Sequence, residues 1–285
     1  MTVENKTIGA GQALLTQADV KTYAADGAVC LRGVYDPHVI LQLLKAWDKV
    51  SVDPIESGLT LSSTEHREIG DRTNIISRPS YAVDAFRDFI RASPVPALLG
   101  ELLCTREIGF YWDTIFEKLS GSTFPTTWHT DAGATAVRGN TLVNVWTPLT
   151  PMSRESSLEI LAGSHTNDVL YWPRSPNGAK LMRPPDRMWC PDYETARDDP
   201  THRFISWDME PGDILVLHLK TAHYSRGNPT PHRRVAYATW WYGDDVVWDP
   251  RPECEEGHPE APFALMPRGE RPNHPLFPVQ WRADD

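Results

Sequence analysis

The chain has 285 residues, of which 40% are hydrophobic, and its 28 basic and 38 acidic side chains give a net charge of −10. That length suffices for one large domain or two small ones, with apolar residues enough for a substantial core. An acidic balance without a basic block argues against nucleic acid or an anionic membrane as the main partner.

No run approaches the ~20 apolar residues of a membrane span, and the start, MTVENKTIGAGQ, lacks the layout of a signal peptide. Cys30, Cys104, Cys190 and Cys254 form no CxxC pair. Neither a disulfide framework nor a thiolate zinc site is therefore expected, and a cytoplasmic location is the default reading. The 25 prolines fit a loop-rich β protein better than a helical bundle.

Residues 16 to 50 read as mostly helical. Thr16 is a candidate N-cap before QADVKTYAADG, AVCLRGV is a short strand, and Pro37 to Trp47 repeat apolar residues at helical spacing. Residues 52 to 80 are polar without a clear period and are expected to form a long surface loop. DAFRDFIRASPVPALLGELL is again helical, interrupted near Pro94 and Pro96. From about 106 the character changes. IGFYWDTIFEKL, NTLVNVWTPLT, SLEILAG, GDILVLHLKTAH and RRVAYATWWYG are β-branched and aromatic runs punctuated by Gly, Pro, Asn and Asp. Many short strands with turn signals suggest a sandwich or barrel. The expected layout is one domain over 1–285, with a helical part at 12–105 and a β core at 106–245. An insertion at 166–204 is long enough to be a lid, and a proline-rich tail at 246–285 would wrap the surface.

The stretch TTWHTD carries the chemistry. In a strand, His129 and Asp131 point to one face, where an imidazole and a carboxylate can share a divalent metal. Of the ten histidines, His223 in ILVLHLKTAHYSRGN is the best third ligand, at the end of an apolar strand. His218, five residues earlier on that strand, reads as packing. Two imidazoles and one carboxylate leave coordination positions open and suit non-haem Fe(II) oxygenases, with zinc as the chemical rival. In the next strand, Arg234, Ala236, Ala238 and Trp240 share a face. An arginine among small residues can pair with a carboxylate.

HTD, LEILAGSH, EPGDILVLH, the distal His223 and the arginine eleven residues later together resemble the phytanoyl-CoA dioxygenase family, from about Val20 to the end. WWYGDDVVWDPRP is also similar to a stretch of bacterial members. The resemblance implies a mainly β fold with flanking helices, a double-stranded β-helix of jelly-roll, cupin-like type. It implies an Fe(II)- and 2-oxoglutarate-dependent dioxygenase that uses O2, oxidises a small molecule and releases succinate and CO2. It places His129, Asp131 and His223 at the iron. Arg234 and Ser225 would hold the far carboxylate of 2-oxoglutarate, and Trp146 would line that co-substrate. Thr130 stands where many members carry glutamine, and Thr114 is a further candidate for the same pocket. Members that halogenate lack the carboxylate that Asp131 supplies, so hydroxylation or a related oxidation is implied, in a monomer or homodimer. ESSLEILAGSH departs from the family's NGALxxxPGSH at Glu155, Ser156, Ser157 and Ala162, which touches turns rather than the metal site.

Other readings compete. A metal-dependent hydrolase on a similar barrel would use the cluster without O2, and a non-catalytic jelly-roll binding protein would use it not at all. His165 reads as holding a turn, and His202, His232, His258 and His274 as solvated. Trp128, Trp240 and Trp241 read as filling the core, whereas Tyr111, Trp112, Phe116 and Trp189 are compatible with an apolar or cyclic substrate.

Overall fold

The computed structural model describes residues 15–52, 60–61, 73–172, 186–250 and 266–284. Helix α1 (Gln17–Asp26) starts at Thr16, whose side chain accepts from Asp19 N while the Asp19 carboxylate accepts from Thr16 N; Gly27 ends it at φ 74°. This reciprocal pair satisfies amide groups that the first turn leaves open. Strand β1 (Ala28–Leu31) leads to helix α2 (Pro37–Val50), capped by Asp36 and burying Ile40, Leu43 and Trp47 along one face. Strands β2 (Thr60–Leu61) and β3 (Thr73–Ser77) precede helices α3 (Pro79–Ala82), α4 (Asp84–Arg91) and α5 (Val95–Leu103). The break between α4 and α5 falls at Pro94, as expected.

The remaining strands are β4 (Glu107–Lys118), β5 (Thr126–His129), β6 (Val137–Arg138), β7 (Leu142–Pro148) and β8 (Leu158–Leu161). They continue as β9 (Tyr171–Trp172), β10 (Met188–Trp189), β11 (Phe204–Ile205), β12 (Ile214–His218) and β13 (His223–Ser225). The last three are β14 (Arg234–Tyr242), β15 (Val247–Trp248) and β16 (Val279–Arg282). The major sheet has the order β1-β12-β7-β14-β4-β3-β2, with β16 also on β4; the minor sheet has the order β11-β8-β13-β5. The chain passes between the sheets as it runs from β4 to β14, so the fold is a double-stranded β-helix with helices outside it.

Side-chain alternation sorts the layers. On β7, Val143 and Val145 pack outward with the helices, alongside Ile40, Trp47, Phe86 and Leu99. Trp146 packs inward with Leu158 and Ile160 of the minor sheet and with Ala236 and Ala238 of β14. All seven residues of β7 are buried, because the major sheet is covered on both faces. That is why its strands read as continuous apolar runs rather than as alternating ones.

Three expectations need correction. Residues 52 to 80 are not loop throughout: β3 pairs with the second half of β4. Only Thr73 and Ile76 of β3 are buried, so its polar edge hides the strand period. Residues 53–59 and 62–72 lie outside the described residues. The tail does more than wrap the surface, since β15 pairs with β6 and β16 with the start of β4. Finally, GDILVLHLKTAH is not one strand. β12 ends at His218, Thr221 N donates to His218 O at 2.8 Å, and the chain crosses to the minor sheet before His223. His218 itself is buried, with Nε2 3.0 Å from Asn140 O, which matches its reading as packing.

Asp113 fastens the helical layer to the sheet. From β4 it accepts hydrogen bonds from Ser80 N (2.9 Å), Ser80 Oγ (2.9 Å) and Tyr237 Oη (2.8 Å). Burial pushes its carboxyl up from 3.8 to about 6, although these donors and Arg78 oppose the rise. A carboxyl whose folded pKa is raised binds its proton more tightly in the folded state. It therefore favours folding most below the unfolded pKa and loses that contribution as pH rises through the folded one. Wild-type protein should lose ~2 kcal/mol of unfolding free energy relative to Asp113→Asn between pH 4 and pH 7. Urea titrations of both proteins across that range check the difference.

Candidate active site

His129 closes β5 and His223 opens β13, and the two are directly paired across these antiparallel strands. Their ring centroids are 4.1 Å apart. Asp131 follows two residues after His129, and its Oδ1 lies 3.6 Å from His129 Nε2 and 3.7 Å from His223 Nε2. One ligand atom from each residue falls within 4.8 Å of the others, and this is the metal-competent cluster found among the described residues.

The backbone sets both imidazoles for ligation. His129 Nδ1 lies 2.8 Å from Thr127 O, and His223 Nδ1 lies 3.0 Å from Thr221 O. A carbonyl can only accept, so each Nδ1 carries the proton and each Nε2 lone pair faces the cluster. Burial, and then the neighbouring His223, lower the His129 pKa to about 4 against the opposing pull of Asp131. That imidazole is therefore neutral at pH 7. Burial works against the Asp131 charge. The rings of His223 and His129 and hydrogen bonds from Asn144 and Trp240 overcome it, and its pKa is lowered. The neutral His129 imidazole, the His223 Nε2 turned toward it and the Asp131 carboxylate match the donor set of an Fe(II) site. Beyond Asp131 the backbone is pinned: Ala132 N donates to Leu219 O at 3.0 Å, in the turn that leads to His223.

Arg234, the first residue of β14, shares this cavity with the cluster. Its Nη1 donates to Ser225 Oγ at 2.7 Å and to Ser156 O, and its guanidinium lies 5.9 Å from the Trp146 ring. The side chain is buried, its Nε has no partner, and it forms no ion pair with a carboxylate among the described residues. Burial pulls its pKa down to about 10. A buried cation in this state is matched by an anionic ligand. The cluster and the arginine together thus fit iron and a dicarboxylate. Beside them Lys118, also buried, donates from Nζ to Phe124 O (2.9 Å), Arg226 O (2.9 Å) and Ser225 Oγ (3.4 Å).

The cavity is lined by His129, Asp131, His223, Ser225, Arg234 and Trp146, together with Phe116, Thr126, Asn144, Leu158 and Trp240. Thr114 and Thr130 are not in that lining. Thr114 is buried beside it and accepts from Trp112 Nε1 at 3.1 Å. The buried Thr130 hydroxyl has no partner. Of the aromatic residues read as substrate candidates, Phe116 lines the cavity, whereas Tyr111 stacks on Phe277 in a separate cluster. Trp240, read as core filling, instead donates to Asp131 Oδ2 at 2.8 Å. Asn144 donates to the same atom at 3.0 Å. Sequence reasoning missed both contacts, which arise from the cross-strand pairing of Asn144 with Trp240.

The segment after β8 meets the metal loop directly. A Cβ on Gly133 would lie 2.0 Å from Tyr171 O, so β9 runs against the turn that follows Asp131. Residues 190–204 pack on the outer face of the minor sheet. There Tyr193 and Phe204 contact Trp128, and Trp128 Nε1 donates to Glu194 at 2.9 Å. Arg197 binds both Glu194 and Glu159 and ties this segment to β8.

A search of curated protein sequences gives no match. Among solved structures the chain is similar to the non-haem α-ketoglutarate-dependent carbocyclase SnoK from nogalamycin biosynthesis, with TM-score 0.70 and 17% identity over 93% of this chain and 96% of that one. It is similar to the epimerase SnoN in complex with Fe3+, α-ketoglutarate and nogalamycin RO, with TM-score 0.70 and 17% identity over 93% and 98%. It is also similar to EctD from S. alaskensis with 2-oxoglutarate and 5-hydroxyectoine, with TM-score 0.65 and 16% identity over 93% and 89%. At these identities the likeness shows the fold. The family model for phytanoyl-CoA dioxygenase matches residues 23–236, and the chain belongs to that family of 2-oxoglutarate-dependent non-haem iron oxygenases.

Proposed function

We propose that this oxygenase hydroxylates a small molecule of secondary metabolism in the cytoplasm, acting as a monomer or homodimer. His129, Asp131 and His223 hold the Fe(II), and Arg234 with Ser225 holds the far carboxylate of 2-oxoglutarate. The observation that carries this reading is the pairing, in one cavity, of the two-imidazole, one-carboxylate cluster with a buried arginine that meets no carboxylate. A hydrolase has no use for that arginine.

When bound, iron with 2-oxoglutarate and O2 supplies the oxidising power, and succinate and CO2 leave as products. The chain's own residues place and shield that chemistry. The carbonyls of Thr127 and Thr221 hold the two Nδ1 protons and keep both imidazoles turned inward. Arg234 supplies a buried positive charge in the cavity wall, and Ser225 Oγ, already accepting from it, aligns beside it. Trp146, Phe116 and Leu158 wall the space and exclude water, which strengthens each polar contact inside. The presence of Asp131 supports hydroxylation over halogenation. The similar structures in complex with nogalamycin RO and with 5-hydroxyectoine support a small polar or polycyclic metabolite as substrate.

Within the 166–204 insertion, of which residues 173–185 lie outside the described residues, the part around Tyr171 and Trp172 serves as a cover that helps to select the substrate. The contact of Tyr171 with Gly133, beside Asp131, supports this part of the reading. Trp172→Ala should change which compounds stimulate turnover while leaving the 2-oxoglutarate requirement unaltered. An unchanged substrate range in competition assays would end the cover role.

Two further outcomes test the centre. Arg234→Leu should raise the 2-oxoglutarate concentration for half-maximal thermal stabilisation by roughly 10- to 100-fold, the range expected for a lost charge-assisted hydrogen bond. Asp131→Ala should abolish Fe(II)-dependent succinate release. A succinate-release screen of wild-type protein against a metabolite panel, with product masses recorded, identifies the substrate. A gain of one oxygen atom is the expected mass change, and retained turnover in Asp131→Ala would overturn the iron assignment.

A further inference from the structure

The two oxygens of Asp131 live in different surroundings. Oδ1 faces Nε2 of both histidines, at 3.6 and 3.7 Å. Oδ2 accepts from Asn144 Nδ2 at 3.0 Å and from Trp240 Nε1 at 2.8 Å. The two donors converge because Asn144 on β7 and Trp240 on β14 are cross-strand partners. Partners directly opposed on one face of a sheet lie side by side, within reach of a common acceptor.

The polarity of both contacts is fixed. An indole nitrogen can only donate. The carboxylate can only accept, so it selects the amide end of Asn144 and leaves the carbonyl end elsewhere. That carbonyl Oδ1 is buried and has no partner, and Asn144 as a whole is buried. A half-satisfied amide among apolar neighbours is a local liability for folding. Leu142 and Trp146, the neighbours of Asn144 on this face of β7, show the apolar company it keeps. A purely structural role gives no reason for an amide here, whereas an ionised carboxylate beside it does.

We propose that Asn144 and Trp240 are positioning residues for Asp131, which occupy its Oδ2 and present Oδ1 alone to the metal. This rests on the reading of His129, Asp131 and His223 as the iron site. Groups that orient a ligand from behind typically alter metal affinity by ~10- to 100-fold when removed.

Asn144→Leu and Trp240→Phe remove the donors one at a time with little change of shape. Binding of Fe(II) under argon, with Co(II) as an air-stable check, is measured by equilibrium dialysis on metal-free wild-type and variant proteins. Urea unfolding of the metal-free proteins runs in parallel. The expected result is metal affinity ~10- to 100-fold weaker in each variant, with an unfolding midpoint for Asn144→Leu no lower than wild type. Asn144→Ser, whose hydroxyl can donate to the same oxygen, should fall between wild type and Asn144→Leu. Wild-type metal affinity in both variants overturns the proposal, and so does a loss of affinity matched by a loss of folding stability. His129→Ala separates the two levels. If wild type and His129→Ala bind metal equally poorly, the iron-site reading itself fails; if only His129→Ala is weakened, this inference alone falls.

Discussion

His129 and His223 are ninety-four positions apart in the chain and directly opposed on β5 and β13. The site depends on that pairing. A cross-strand pair fixes the separation and the facing direction of two side chains far more tightly than two loops could. Asp131, two residues past the end of β5, needs only a short bend to join them. The turn from Leu219 to Ala222 is part of the same constraint, because it moves the chain from β12 in one sheet to β13 in the other. Without that crossing His223 would continue an outer strand and never face His129.

The second organising tension is electrostatic. Arg234 and Lys118 are both buried around Ser225, and Arg234 has no carboxylate beside it among the described residues. Buried cations are tolerated where hydrogen bonds and an anion compensate for lost water. The cavity also holds the ionised Asp131, but that charge is turned toward the histidines. The positive end and the metal-facing end are thus separate poles of one small space. A dicarboxylate that also chelates iron matches such a layout, with the aromatic walls between.

Much of this was legible in the sequence because it rests on short-range periodicity and on order along the chain. The i, i+2 spacing rightly brings His129 and Asp131 together, although β5 ends at His129 and Asp131 sits in the bend beyond it, and Arg234 begins a strand whose small residues, Ala236 and Ala238, pack against Trp146. Thr16, Asp36 and Pro37 announce helix starts by their chemistry alone. What escaped was long-range or masked by double burial. The strand β3 has polar edges and only one large buried side chain, Ile76. Asn144 and Trp240 gain their meaning only when β7 and β14 are placed side by side, which no single run of residues reveals. Lys118, at the end of β4, is turned inward onto the carbonyls of Phe124 and Arg226, a contact that its place in the run IGFYWDTIFEKL does not announce.

The bare guanidinium of Arg234 has a practical corollary. Without an anion, the buried Arg234 charge meets Ser225 Oγ and Ser156 O but no carboxylate among the described residues. The protein's most durable form is therefore the occupied one, since a ligand that favours only the native chain shifts the folding balance toward it. If Arg234 binds a dicarboxylate as proposed, adding one to the storage buffer should raise the melting temperature.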